Sequence, residues 1–226
     1  MNLERYAISV EGFEIVNHIL TLGYAAMGAA LLFFVLTKNS VLPKYRMSSV
    51  ISVVVMTSAF LLLYTQKVSW TSAYTFTGTV YSLNPGADLF TNGYRYLNWL
   101  IDVPMLLIQI LFVAEITGSD RTRYMTRFTI AGCLMILFGY IGQFYEPGRL
   151  NENVFLWAFW GIVSTLAFIY VLVLITRVIR QGREHMEGSA RNIFGAILPL
   201  FYISWWLYPI AYAARSEEHT SELQSL

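Results

Sequence analysis

Six long apolar runs dominate this 226-residue chain. They lie near Asn17–Thr37, Met47–Gln66, Tyr94–Val113, Phe128–Tyr145, Phe155–Thr176 and Asn192–Ala214. Each approaches the roughly 20 residues that a helix needs to cross the hydrocarbon of a bilayer. A chain in lipid must satisfy its backbone internally, so only helices and closed barrels are open to it. A barrel would be written in alternating segments of about ten residues, and this sequence has none. The expected fold is therefore an all-α membrane protein. The composition fits: 13% of residues are charged, against about 25% in soluble domains.

The connections carry the orientation. The first, third and fifth hold Lys38, Lys44, Arg46, Arg121, Arg123, Arg127, Arg177, Arg180, Arg183 and Arg191. The N-terminus and the second and fourth connections hold only Arg5, Lys67 and Arg149. Basic residues gather on the cytoplasmic side, which puts the N-terminus outside. The second connection, about residues 67–93, contains "WTSAYTF" and then Asn84-Pro85-Gly86. Aromatic and β-branched residues followed by turn formers predict a short hairpin and a turn. The opening "MNLERYAISVEGFE" is too polar for a signal peptide. The single cysteine, Cys133, excludes an internal disulfide. A net charge of +1 gives no electrostatic case for nucleic acid.

The third run, "NGYRYLNWLIDVPMLLIQILFV", is where chemistry enters. It carries Arg95, Asn98, Asp102 and Gln109, spaced by three, four and seven residues. Those spacings place all four on one face of a helix. At about 1.5 Å per residue, Asn98 and Gln109 stand roughly 16 Å apart along the axis. Amide side chains of this kind also serve as ordinary hydrogen-bonding contacts between helices. A carboxylate at mid-membrane depth is costlier, and marks an ion path, a proton relay or a counter-ion site. Arg95 suits either a snorkelling end residue or a charge gate on that path.

"RYLNWLIDVP" resembles helix three of the microbial rhodopsins, with its Arg-Tyr-x-x-Trp and following proline. Asn98, Asp102 and Gln109 together resemble the signature of the NDQ rhodopsins, the light-driven outward sodium pumps. The likeness extends through "HILTLGYA", "VVVMTSAFLLLY", "GYIGQFYE" and "SWWLYPIAY". It implies a seven-helix rhodopsin-like bundle around all-trans retinal, held as a protonated Schiff base on a lysine of helix seven. By the same resemblance Asp102 is the counter-ion and proton acceptor, with Ser58 a nearby hydroxyl, and Asn98 with Asp102 would hold sodium in transit. Ser52 and Gln109 would line the uptake side, where Ser49 replaces the asparagine of a sodium pump. Trp99 and Trp205 would sandwich the polyene. Tyr208, Pro209, Gly139 and Met135 would complete the pocket. His18 and Asp88 would lie near a protomer interface of a homo-oligomer, a pentamer, in a bacterial plasma membrane. Glu4 resembles an outer acidic residue. A light-driven proton pump or a sensory photoreceptor of the same fold is the alternative reading.

The likeness stops short of helix seven. The lysines are Lys38, Lys44 and Lys67 only, none of them after the sixth run. Residues 1–214 are thus expected to form a rhodopsin-like bundle truncated to six helices. The last stretch, "RSEEHTSELQSL" at 215–226, is polar and resembles the in-frame translation of a sequencing adapter. It is expected to be a non-native tail.

Overall fold

A computed structural model describes residues 7–85, 87, 92–147 and 151–223, without the side chains of 92 and 214–223. Glu4, Asp88 and Arg149, together with the last three residues of the tail, lie outside the described residues. The helices are α1 (Val10–Thr37), α2 (Arg46–Ala73), α3 (Asn92–Val113), α4 (Gly118–Gly142), α5 (Val154–Glu184) and α6 (Gly188–Leu223). Three short strands accompany them: β1 (Ile8–Ser9), β2 (Tyr74–Phe76) and β3 (Val80–Leu83). Among the described residues, six helical segments are long and apolar enough to cross a membrane, as the six runs predict. The sixth differs at its end, because α6 continues past Ala214 to Leu223. The chain divides into two compact units, Met1–Asp102 and Val103–Leu226.

In the first unit α1 and α2 pack together. Gly28 lets the Phe60 ring come close: a Cβ there would sit 3.3 Å from it. Ser9 caps α1, its hydroxyl accepting from the Gly12 amide at 3.0 Å. The predicted hairpin exists, but it begins later than the sequence suggests. α2 runs on through Trp70 to Ala73, so the strands start at Tyr74. Helical winding wins there because Asn84 serves the carbonyls at the end of α2. Its backbone N–H donates to Ala73 O (2.8 Å) and its side-chain amide to Ser72 O (2.9 Å). The Asn84 turn closes with the Ala87 amide donating back to Asn84 O at 3.1 Å. The sequence reading missed β1, a two-residue strand that pairs antiparallel with β3, Ile8 opposite Tyr81. The Phe13 ring then stacks on Tyr81 (3.8 Å between centroids) and on Trp70 (5.6 Å), tying α1 to the sheet and to α2.

In the second unit the core is apolar, with Leu107, Leu111, Phe128, Val171, Leu174, Ile175, Val178 and Ile179 almost fully buried. α4 and α5 run antiparallel and are tied by the Ser164 hydroxyl, which donates to Met135 O at 2.7 Å. α3 ends in a Schellman arrangement: Ile116 N–H donates to Leu111 O and Glu115 N–H to Phe112 O. Glu115 occupies the left-handed position, with φ of 57°, where glycine is the usual residue. Glu115→Gly is expected to stabilise the protein by about 1 kcal/mol by relieving the Cβ–carbonyl clash. Reversible unfolding in mixed micelles reads this. A less stable variant would show that the Glu115 side chain contributes more than its backbone costs.

Candidate functional site

The polar stripe of α3 meets α2 at Ser58. The Ser58 hydroxyl donates to Asn98 Oδ1 at 2.6 Å. The Asn98 side-chain amide in turn donates to Asp102 Oδ2, one helical turn further along. Three side chains thus form a chain with a fixed direction: hydroxyl, amide, carboxylate. The ionised carboxylate can only accept, so the amide turns its nitrogen to Asp102 and its oxygen to the hydroxyl. Asp102 is buried, at 6% exposure. Its second oxygen, Oδ1, is also buried and has no hydrogen-bond partner.

That geometry limits what the site can do. A buried carboxylate needs compensation, and one amide hydrogen bond gives only part of it. Oδ1 is therefore an acceptor directed at a cation or a proton, and it fits the positive end of a bound group. The oxygens of Ser58, Asn98 and Asp102 are all hard donors of the kind that hold alkali and alkaline-earth cations. Among the described residues there is no cluster of three or more His, Cys, Asp or Glu. One carboxylate among neutral oxygens suits brief contact with an ion better than permanent binding.

The other predicted residues fall in several settings. Arg95, Trp99 and Gln109 are half-buried on α3, and the Trp99 ring meets Tyr96 edge-on at 5.4 Å. Ser49 and Ser52 are buried on α2. Gly139 is buried on α4, and Met135, half-buried, presents the carbonyl that Ser164 holds. On α6, Trp205 is half-buried against Phe201, whereas Tyr208 is 54% exposed. Pro209 lies inside α6; it has no N–H and so cannot make the helical bond to the Trp205 carbonyl. His18 is exposed on α1, with Nε2 3.6 Å from Glu14 Oε2.

Sequence reasoning missed Tyr212. Its ring stacks on Trp157 at 5.1 Å, and its hydroxyl donates to Trp157 O at 3.0 Å. It fills a slot opened by Gly142 of α4 and Gly161 of α5, where a Cβ on either would overlap the Tyr212 side chain. The signal was present: Tyr212 follows Trp205 and Tyr208 by seven and four residues, so all three share one face of α6.

Residues 14–222 match the family described as Bacteriorhodopsin-like protein. Archaerhodopsin-2 of Halobacterium sp. (strain aus-2) is 28% identical over 123 residues, 54% of this chain and 44% of that protein. Sensory rhodopsin III of Haloarcula marismortui is 29% identical over 119 residues, 52% of this chain and 46% of its own length. The matches thus span less than half the length of these curated relatives. Among solved structures, xanthorhodopsin, described as a light-driven ion pump with dual chromophore, superposes with a TM-score of 0.84 at 28% identity. That match covers 93% of this chain and 82% of the other.

Proposed function

The chain belongs to the bacteriorhodopsin-like proteins, and from that premise we propose that it acts in a light-driven pump that exports sodium. One observation carries the reading: the buried carboxylate of α3, Asp102, is joined to a neutral amide and a hydroxyl rather than to a second acid. Two acids on this face would offer protons two acceptors. Asn98 supplies an oxygen for an ion and no site for a proton. Gln109 cannot return a proton, since an amide does not titrate in this range.

When bound, retinal supplies light absorption, a positive charge and a transferable proton. We place its covalent lysine outside these residues, since Lys38, Lys44 and Lys67 all precede the third span. The chain's own side chains then divide the work. Asp102 balances a positive charge in the dark through its unpartnered oxygen. On taking the proton that the bound chromophore would give up, Asp102 becomes neutral. The repulsion of a passing cation falls because the positive charge beside Asp102 would be lost with that proton, and in a low-dielectric site such repulsion is several kcal/mol at contact range. Ser58, Asn98 and Asp102 then offer oxygens to a passing sodium ion. Asp102 would then return the proton to the group it came from, restoring the positive charge beside it and closing the path behind the ion. We extend the proposal to a pentamer in a bacterial plasma membrane, with His18 on the outer face of α1 near the protomer contact.

The test extends the chain by the seventh span of a solved relative and supplies retinal. In sodium chloride, illuminated cells should show protons drifting inward, and a protonophore should increase the drift, because sodium export sets the potential. External acidification that a protonophore abolishes would assign a proton pump. No light-driven drift of either sign would favour the photoreceptor reading, the kind of protein that one relative's name describes.

A further inference from the structure

α4 and α5 each carry an exposed apolar stripe that ends in two arginines. On α4 the stripe is Leu137, Leu134 and Ile130, continued by Arg127 and Arg123. On α5 it is Ile162, Leu166, Ile169 and Val173, continued by Arg177 and Arg180. Steps of three and four residues keep each series on one helical face. The arginines therefore continue the exposed stripes of the two helices, inside the helices rather than in the connecting loops.

The two series are in register. Ser164 bonds to the Met135 carbonyl and so marks one common level on the antiparallel pair. From that level Arg123 is twelve residues away and Arg177 thirteen, about 18 and 20 Å at 1.5 Å per residue. Arg127 stands about one turn deeper and Arg180 about one turn farther out. Arg123, Arg177 and Arg180 are exposed and Arg127 is half-buried. Among the described residues none of the four has a carboxylate within ion-pair distance. Asp120 and Glu184 occupy the outermost turns, which leaves four positive charges against two negative ones on these faces.

We propose that the lipid-facing side of the α4–α5 pair, at the end where α4 begins and α5 ends, binds an anionic phospholipid. Arg123, Arg127, Arg177 and Arg180 would hold the phosphate headgroup, and the two apolar stripes would take the acyl chains. Guanidinium groups match phosphate oxygens in paired hydrogen bonds. The apolar stripes choose the source: a free phosphate has no use for them, whereas a phospholipid covers both parts at once. Orientation alone needs basic residues anywhere in the loops and does not require them in register along lipid-facing stripes.

The experiment places the full chain in nanodiscs of phosphatidylcholine containing one part in ten phosphatidylglycerol, and counts retained lipids by native mass spectrometry. Phosphatidylglycerol should be enriched on the protein. Two variants, R123Q/R127Q and R177Q/R180Q, should each lose that enrichment, by about fivefold per arginine removed. R191Q, which removes an exposed arginine of α6 outside both stripes, should retain it, and millimolar inorganic phosphate should not displace the lipid. Circular dichroism identifies any variant that fails to fold, and the other pair then tests the same surface. Equal retention of the two lipids, an equal loss in R191Q, or displacement by inorganic phosphate would each overturn the proposal.

Discussion

Replacing Asp102 by Asn is expected to abolish light-driven transport in the chain extended by a family seventh span. Asp102 is the carboxylate at the end of the Ser58–Asn98 hydrogen-bond chain, and it is buried. An amide in its place cannot take up a proton, and loss of a positioned proton acceptor costs about a hundredfold to ten-thousandfold. Asn98 turns its nitrogen toward residue 102 because the carboxylate there can only accept, and its oxygen then takes the Ser58 hydroxyl. An amide at 102 offers one acceptor and one donor in place of two acceptors, and with Asn98 in its present orientation the new nitrogen takes the position held by Oδ1. A donor then stands where a positive charge has to be balanced. The absorption maximum should accordingly move to the red, since the cationic end of the chromophore loses its negative partner. Transport and colour together form the measurement. A variant that pumps at the original rate, with its colour unchanged, would show that Asp102 neither balances the charge nor accepts the proton.

The parts of this molecule that were legible in the sequence are those on which lipid imposes a rule. A span must be helical and apolar, so the six runs could be read directly, and polar side chains at 95, 98, 102 and 109 stood out against them. Spacing could place Asn98 and Asp102 on one face, but the Ser58 hydroxyl that completes their hydrogen-bond chain stands forty residues earlier on another helix. Periodicity does not report such a contact; the resemblance of α2 to a known family implies only a hydroxyl near Asp102. The boundary of α2 was misplaced for a similar reason. Trp70 and Thr71 favour a strand locally, yet Asn84, more than ten residues on, satisfies the carbonyls that keep the helix wound to Ala73. Tyr212 escaped notice because its slot is defined by two glycines on other helices, Gly142 and Gly161. A glycine in an apolar run shows only that a side chain is missing there. It does not reveal which neighbour uses the space.

Gly182 is a place where that space matters for stability. It lies in the last turns of α5, and it is buried. A Cβ added there would sit 2.8 Å from the Ala114 Cβ, 3.1 Å from the Ala114 Cα and 2.9 Å from the Phe194 ring. The flexible end of a long side chain could swing away; a backbone atom and a buried ring cannot. Phe194 is itself only 4% exposed and Ala114 1% exposed, so neither has an empty volume to enter. Close packing of interiors leaves few voids that could take up the displaced atoms. Gly182→Ala should therefore destabilise the protein by about 1–3 kcal/mol, the range for an overpacked core. Gly182→Leu adds three further carbons, and α5 can then no longer seat against Ala114 and Phe194 together. The leucine variant is expected not to reach the native state at growth temperature, while Gly195→Ala, where the near atoms are the end of the Arg183 side chain at 3.0 Å, should be tolerated. Thermal melting in detergent, followed by circular dichroism and by loss of the monodisperse peak on size-exclusion chromatography, separates the three. Should Gly182→Leu melt at the temperature of the parent chain, the close approach of α5 to Ala114 and Phe194 would not be a feature of the folded protein.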